Sequence, residues 1–309
     1  MHNDQSHYAP TKGTKKLREA AAHFLNSKYD LNYDPETEII ITAGATGGIY
    51  TALTSILNPG DEVLIPTPIF PLYIPITLLR GAKPVFMDTS KSRFVLSPAQ
   101  LKQTLKDHPK TKAIVLNFPS NPTGKTYNEA ALKELAAILK QHDIFVISDE
   151  IYSELTYDAK HVSIANLLPD QTILLNGVSK SHAMTGWRIG IVAAPKDIAS
   201  QLEKIDQFTI TSPTTNAQFA AAEALENGSD DAVAMKAEYQ KRRDYVYQEL
   251  KALGFAYDLA RKGKVAVVPG SAFGPGGEGY VRISYATSMK NLQKAIHNIK
   301  EYVANEGKR

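Results

Sequence analysis

The sequence predicts an α/β fold in which a mostly parallel central sheet is flanked by helices and followed by a smaller α+β C-terminal domain. Short apolar segments alternate with helical patterns through the first two thirds of the chain, which is typical of a parallel sheet covered on both faces. After about residue 195, long helical patterns and one strand pair replace this alternation. The break Asn227-Gly228-Ser229 separates a large domain of residues 1–228 from a small domain of residues 229–309.

The predicted strands are short apolar runs rich in β-branched residues. They cover residues 38–42, 62–65, 82–87, 113–117, 144–148, 172–175 and 189–193 in the large domain, and 265–268 and 280–284 in the small domain. The helical patterns cover residues 17–29, about 49–57, 97–107, 128–141, 213–226, 231–253 and about 291–304. A glycine-rich turn at residues 44–48 joins the first strand to the second helix, and Pro66 is expected to end the second strand.

The composition describes a chain that can bury a large core. Its 309 residues are 43% hydrophobic and 22% charged, which excludes a disordered or collagen-like chain. Thirty-five Lys and Arg against 32 Asp and Glu give a net charge of +3 without long charge blocks, so no nucleic-acid partner is expected. The N-terminus is polar and no run of about 18 apolar residues occurs, so we expect no membrane span and a cytoplasmic enzyme.

Cysteine is absent, which excludes disulfides, thiolate metal ligands and thiol nucleophiles. The eight histidines are scattered, and no pair has the spacing of a helical zinc site. We therefore predict no metal site and expect another type of side chain to be the nucleophile.

Three polar side chains follow predicted strands at the sheet edge where parallel sheets bind ligands. Lys180 follows 172–175, and desolvation there favours its neutral, nucleophilic form. Asp149 follows 144–148, where a buried carboxylate needs a cationic or hydrogen-bonding partner, such as a protonated pyridine nitrogen. Asn121 lies in a rigid turn with its amide free to donate. Each residue taken singly has a commoner explanation. Lys180 could be a solvated loop lysine, Asp149 a helix cap or a member of a structural ion pair, and Asn121 an ordinary turn asparagine.

Together these segments resemble the class I and II aminotransferases, the fold type I enzymes that use pyridoxal 5′-phosphate (PLP). The matching motifs are Asn-Phe-Pro-Ser-Asn-Pro-Thr-Gly at 117–124, Ser-Asp-Glu-Ile-Tyr at 148–152 and Ser-Lys-Ser-His-Ala-Met-Thr-Gly-Trp-Arg-Ile-Gly at 179–190. The resemblance runs from about Ser6 to Tyr302. The segment 176–182 is most similar to aromatic amino-acid and PatA-type aminotransferases of Gram-positive bacteria.

The resemblance implies a role for each matching residue. Lys180 would form a Schiff base with PLP and later move a proton between the substrate and the cofactor. Asp149 would keep the pyridine nitrogen protonated, which makes the ring an electron sink. Tyr152 and Asn121 would hydrogen-bond the 3′-oxygen of PLP, and Asn121 would also contact the substrate. Phe70 would stack on the pyridine ring, although simple core packing explains a single phenylalanine equally well.

The phosphate of PLP has candidate ligands from the sequence pattern and from the resemblance. Gly44, Ala45 and Thr46 open a helix after a strand, where backbone N–H groups can bind an anion. The resemblance adds Ser179 and Arg188, whose guanidinium can bind a phosphate with two parallel hydrogen bonds.

Two further residues have roles implied by the resemblance. Tyr8, in the Tyr-x-x-x-x-Gly segment 8–13, would reach the phosphate in the site of a partner subunit, which predicts a homodimer. Arg282 would clamp the α-carboxylate of the substrate. Alternation along its strand places Arg282 on the face opposite Val281 and Ile283, although an arginine within a strand is more often a surface residue.

The predicted function is transfer of the amino group of an L-amino acid, aromatic or broad in range, to a 2-oxo acid such as 2-oxoglutarate by a ping-pong route. A PLP-dependent C–S β-lyase shares the fold and the lysine and is an alternative. A non-catalytic aminotransferase-like module that binds an effector is a second alternative, disfavoured because no DNA-binding segment precedes Tyr8.

Three departures from the family pattern stand out. Family members usually carry several dozen residues before the equivalent of Tyr8, and a further stretch of the small domain is missing near residues 255 and 256. We expect both stretches to belong to the natural protein as flexible segments; a truncated natural enzyme is the alternative. Gly177 stands where many relatives have a phosphate-binding serine, which costs about one hydrogen bond.

Overall fold

The computed structural model describes residues 6–251 and 265–306. Its helices are α1 (Lys15–Tyr29), α2 (Gly44–Ile56), α3 (Tyr73–Leu79), α4 (Pro98–Asp107), α5 (Glu129–Leu139), α6 (Val178–Ser181), α7 (Lys196–Ile210), α8 (Thr215–Asn227), α9 (Ser229–Lys251) and α10 (Met289–Glu306). Its strands are β1 (Ile39–Ala43), β2 (Glu62–Thr67), β3 (Lys83–Asp88), β4 (Thr111–Asn117), β5 (Phe145–Asp149), β6 (Thr172–Asn176), β7 (Ile189–Ala193), β8 (Val268–Pro269) and β9 (Val281–Arg282).

The central sheet has seven strands in the order β1-β7-β6-β5-β4-β2-β3. The strands from β3 to β6 pair in parallel, whereas β7 is antiparallel to both β6 and β1. The predicted mostly parallel sheet is therefore confirmed. Because β7 runs the other way, Arg188, which precedes it, lies at the edge where the parallel strands end.

Both faces of the sheet are buried under helices, which explains why its strands read as continuous apolar runs. Ile40 packs in a cluster with residues of α2 and α7, whereas its neighbours Ile39 and Ile41 pack in a second cluster with residues of α1 and α8. In β5, Val146 and Ile147 likewise belong to different clusters. Successive side chains of a strand point to opposite faces, so both sets are needed to cover the sheet.

The glycine-rich segment 44–48 is not the predicted turn; it forms the first turns of α2, which begins at Gly44. Gly48 faces the sheet, and a Cβ there would lie 2.8 Å from Cγ2 of Val192. Glycine therefore lets the helix approach the sheet closely. The expectation that Pro66 ends β2 is also wrong, since the strand runs to Thr67. Pro66 lies beyond Leu64, the last residue of β2 that pairs with β4.

The C-terminal part contains α9, α10 and the antiparallel pair β8 and β9, which is shorter than predicted. It has its own small apolar cluster, in which Val265 packs with Ile296, Ile299 and Tyr302 of α10. The boundary at residue 228 falls between α8 and α9, and the division into two domains stays a prediction. The stretch expected to be missing near residues 255 and 256 lies outside the described residues. No helix within the described residues is long and apolar enough to span a membrane.

Candidate active site

An open cleft of about 1400 Å³ lies at the carboxyl ends of the parallel strands and collects most of the predicted site residues. Its walls include Ala45, Thr46, Phe70, Asn121, Asp149, Tyr152, Ser179, Lys180, Arg188 and Arg282. Tyr8 does not line this cleft, and its side chain is 89% exposed. The structure therefore brings these predicted residues together, whereas their assignment to a site and their individual roles stay predictions.

Asp149 is the last residue of β5 and is almost completely buried in the floor of the cleft. The Tyr73 hydroxyl donates to its Oδ2 at 2.5 Å, and the backbone N–H of Ile151 donates to its Oδ1 at 3.2 Å. Burial raises the pKa of Asp149, and these two hydrogen bonds act against that rise. The carboxylate can therefore bind a cationic group placed in the cleft.

Lys180 lies in the short helix α6, which follows β6. Its Nζ is 5.5 Å from the centre of the Tyr152 ring. Burial lowers the pKa of Lys180, and the positive charges of Arg188 and Arg282 lower it further, while Asp149 opposes them. The amine is thereby shifted toward the neutral form that a nucleophile or a proton acceptor needs.

A helix N-terminus and an arginine meet at one end of the cleft, where they could hold an anion. Gly44, Ala45 and Thr46 form the N-terminus of α2, where backbone N–H groups lack partners within the helix. Arg188 lies beside them, and its Nη1 donates to the carbonyl oxygen of Thr185 at 2.9 Å. Gly44 has a φ of +71°, and a Cβ on it would overlap the guanidinium of Arg188. Glycine at this position leaves room for the arginine at the helix N-terminus.

Gly177 departs from the family pattern for a reason that the structure explains. Its φ is +153°, a conformation that residues with a side chain rarely adopt. A Cβ there would also lie 2.9 Å from the carbonyl oxygen of Ile189. A serine at this position would require the backbone to move.

Arg282 and Asn121 contact each other in the wall of the cleft. Nη1 of Arg282 donates to Oδ1 of Asn121 at 2.9 Å, and its guanidinium lies 5.0 Å from the centre of the Phe273 ring. The backbone N–H of Asn121 donates to Oδ1 of Asn117, which fixes the turn. Nε of Arg282 is buried and has no hydrogen-bond partner among the described residues. The guanidinium therefore keeps donor capacity for a carboxylate.

Sequence reasoning missed the side chains that line the outer cleft. The hydroxyls of Tyr157 and Tyr285 are 3.2 Å apart, and Arg243 of α9 lies 4.8 Å above the Tyr157 ring. Nη1 of Arg243 pairs with Asp158 at 2.7 Å, and its Nη2 pairs with Asp244 at 2.7 Å. These residues come from three distant segments, so no local pattern could have predicted them. Tyr73 was also missed, although it lies only three residues after Phe70.

These features define an enzyme of the α/β class whose cleft combines an amine of lowered pKa, a buried carboxylate and two arginines that could bind anions. In the described part of the chain, no group of three or more Asp, Glu or His residues could hold a metal ion.

Comparisons with known proteins place this fold and site in one family. The family model for aminotransferases of class I and II matches residues 1–258. A Bacillus subtilis protein named "Probable N-acetyl-LL-diaminopimelate aminotransferase" is 46% identical, over 96% of this chain and 81% of its own length. An aspartate aminotransferase of Pyrococcus abyssi is 40% identical, over 96% and 84%. The crystal structure of an aromatic aminotransferase from Pyrococcus horikoshii is 38% identical and superposes with a TM-score of 0.94, covering 99% of this chain and 90% of that one.

The chain belongs to the class I and II aminotransferases. It has the fold type I architecture of that family, so the predicted family, fold class and enzyme class are confirmed. The reported relatives are aminotransferases and give no support to the C–S β-lyase alternative.

Proposed function

We propose that this aminotransferase binds PLP in the cleft and uses Lys180 to transfer an amino group from an L-amino acid to a 2-oxo acid. The observation that carries the proposal is the placement of Lys180, with its lowered pKa, in one cleft with Asp149 and Arg188. Lys180 complements the aldehyde of PLP, Asp149 its ring nitrogen and Arg188 its phosphate. Bound PLP supplies an electron sink for the negative charge that develops at the substrate Cα.

The side chains divide the work of binding and proton transfer. Asp149 holds the protonated ring nitrogen, and its burial makes that ion pair stronger than it would be in water. Arg188 and the N-terminus of α2 bind the phosphate, with Ser179 beside them. Lys180 carries the proton to and from the substrate Cα, because its amine is shifted toward the neutral form.

The remaining cleft residues orient the ring and the substrate. Asn121 and Tyr152 hydrogen-bond the 3′-oxygen of the ring, and Phe70 packs on its face. Arg282 binds the α-carboxylate of the substrate through the donors that Asn121 leaves free. Fixing the carboxylate in this way orients the Cα–H bond for proton abstraction.

The amino donor is proposed to be aromatic or of broad range, with 2-oxoglutarate as an acceptor. The outer cleft carries the rings of Tyr157 and Tyr285, and the charge of Arg243 is balanced there by Asp158 and Asp244. These rings and balanced charges favour an amino donor whose side chain is large and carries little net charge. N-acetyl-LL-diaminopimelate is a second candidate donor, supported by the 46% identical relative with that name and by a cleft of about 1400 Å³.

The active unit is proposed to be a cytoplasmic homodimer of two-domain chains. Exposed aromatic and aliphatic side chains support the association, because contact with a second subunit would remove their apolar surface from water. They are Tyr8, Tyr50, Trp187, Phe208 and Ile210. Tyr8 would then contact the phosphate in the site of the partner subunit.

Reductive trapping tests the central proposal. PLP-loaded protein should absorb visible light and should lose that absorbance when an amino donor is added. In the absence of a donor, reduction of the loaded protein with borohydride should leave a stable PLP label on Lys180, which peptide mass spectra detect. Lys180→Ala should give neither the band nor the label, whereas Lys125→Ala, which removes another lysine of the cleft, should keep both. A label found only on other lysines would refute the proposed role.

A further inference from the structure

Tyr73 is a completely buried tyrosine that contacts the cleft only through another residue. It begins α3, is 0% exposed, and donates its hydroxyl to Oδ2 of Asp149, which is 3% exposed. The distance of 2.5 Å lies at the short end of the range for a hydroxyl that donates to a carboxylate. A bond of this kind stabilises the ionised carboxylate and fixes its orientation.

The two oxygens of Asp149 have different partners. The backbone N–H of Ile151 donates to Oδ1, and the Tyr73 hydroxyl is the side-chain donor that the structure gives to Oδ2. Every residue except proline keeps the backbone N–H at position 151, so the tyrosine is the donor that side-chain substitution can remove. Burial, and then the charge of Asp149, raise the pKa of Tyr73 well above its ordinary value, so its hydroxyl stays a donor at neutral pH.

We propose that Tyr73 is a positioning residue of the active site, whose hydroxyl keeps Asp149 ionised and turned toward the ring nitrogen of the cofactor. The inference rests on the proposed function, because the pairing of Asp149 with the ring nitrogen is part of that proposal. Without the hydroxyl, Oδ2 would lose the side-chain donor that the structure gives it, and a buried carboxylate with fewer donors takes up a proton more readily. A protonated Asp149 cannot hold a positive charge on the ring.

The hydroxyl can be removed without removing the packing of the tyrosine. The Tyr73 ring lies edge-on to Phe70 at 6.1 Å, and its backbone oxygen accepts the hydroxyl of Thr77 at 2.8 Å. Tyr73→Phe keeps the ring and that hydrogen bond. A matched control is Tyr127→Phe, which removes a phenol that accepts the backbone N–H of Leu96 at 3.3 Å and makes an edge-on ring contact with Phe118.

The experiment compares wild type, Tyr73→Phe and Tyr127→Phe by three measurements. These are the dissociation constant for PLP, the pH titration of the visible absorbance of the loaded protein, and the thermal unfolding of the cofactor-free protein. We expect Tyr73→Phe to weaken PLP binding about tenfold, the effect of one hydrogen bond to a charged group. Its titration midpoint should move to higher pH, because a less positive ring repels the proton on Lys180 less. Tyr127→Phe should leave the dissociation constant for PLP and the titration midpoint at wild-type values.

A double-mutant cycle separates positioning from mere packing. If Tyr73 acts through Asp149, adding Tyr73→Phe to Asp149→Asn should change PLP affinity less than twofold. A tenfold loss in both backgrounds would overturn the inference, as would equal PLP constants and titration midpoints in Tyr73→Phe and wild type. If wild type itself carried no PLP label on Lys180, the proposed function would fail first. If that label formed and Tyr73→Phe still matched wild type, only this inference would fail.

Discussion

Gly44 and Arg188 depend on each other at the anion-binding end of the cleft: any side chain on Gly44 would overlap the guanidinium of Arg188. Both residues have positive φ angles, +71° and +55°, at the start of α2 and just before β7. Because β7 is antiparallel to its neighbours, these two backbone turns lie side by side. The arginine can occupy this place only while position 44 has no side chain.

Gly44→Ala should therefore weaken PLP binding, because the added methyl displaces the guanidinium that holds the phosphate. The positive φ adds a cost of about 1–2 kcal/mol to the free energy of folding. Gly47→Ala is the matched control, since its Cβ would make only ordinary contacts, at 3.6 Å from Ala43, inside the same helix. We expect that control to be neutral or about 0.5–1 kcal/mol more stable. Titration with PLP and urea unfolding of both variants test this, and equal PLP affinities would contradict it.

Arg282→Gln should lower kcat/KM for every amino donor about 10- to 100-fold, because it removes a charged, two-point contact worth about 1.5–3 kcal/mol with the substrate carboxylate. PLP affinity should stay within about twofold of wild type, since the phosphate end is untouched. Arg242→Gln, which breaks an ion pair with Glu238 and a contact with the Tyr239 ring, serves as the control. The roles would need revision if Arg282→Gln lost PLP but kept its KM for the donor.

Asp206 gives a pH dependence to stability. It is buried against Thr51, and burial raises its pKa to about 6 from an ordinary value of 3.8. Between these values the folded chain holds a proton that the unfolded chain has released, so this group makes the fold more stable as pH falls from about 7 to about 4. Asp206→Asn should remove that slope and should be at least as stable as wild type at pH 8. Urea unfolding at pH 5 and pH 8 measures the difference, and an unchanged slope would argue against it.

Phe208 is 87% exposed near the end of α7, and Ile210 is also exposed. If these two side chains are part of the dimer interface, Phe208→Ser combined with Ile210→Ser should shift the mass measured by light scattering from dimer toward monomer. Leu79→Ser, at a residue of α3 that is 76% exposed, should leave the mass unchanged. A wild-type protein that scatters as a monomer would rule out the proposed homodimer.

Most of the sheet could be predicted from the sequence because both faces are buried and its strands are nearly continuous apolar runs. The helices α3, α6 and α7 were not predicted. α7 carries Ile198, Leu202 and Ile205 at helical spacing, so this helix could have been predicted from the sequence. The glycines of α2 resembled a turn, since their purpose is close approach to the sheet and a single sequence does not show that neighbour.

The candidate site was predicted where chemistry and chain position coincide, as at Lys180 and Asp149. It was not predicted where a residue acts through a neighbour that only the fold supplies. Tyr73 reaches Asp149 across 76 positions, and Tyr157 reaches Tyr285 across 128. No spacing rule connects residues so far apart.

The hydrogen bond between Arg282 and Asn121 spans 161 positions. The residues proposed to hold the cofactor within one subunit lie between Gly44 and Arg188, so a ribosome makes all of them well before it makes Arg282. Synthesis therefore completes the proposed cofactor-binding residues first and Arg282, which is proposed to bind the substrate carboxylate, last.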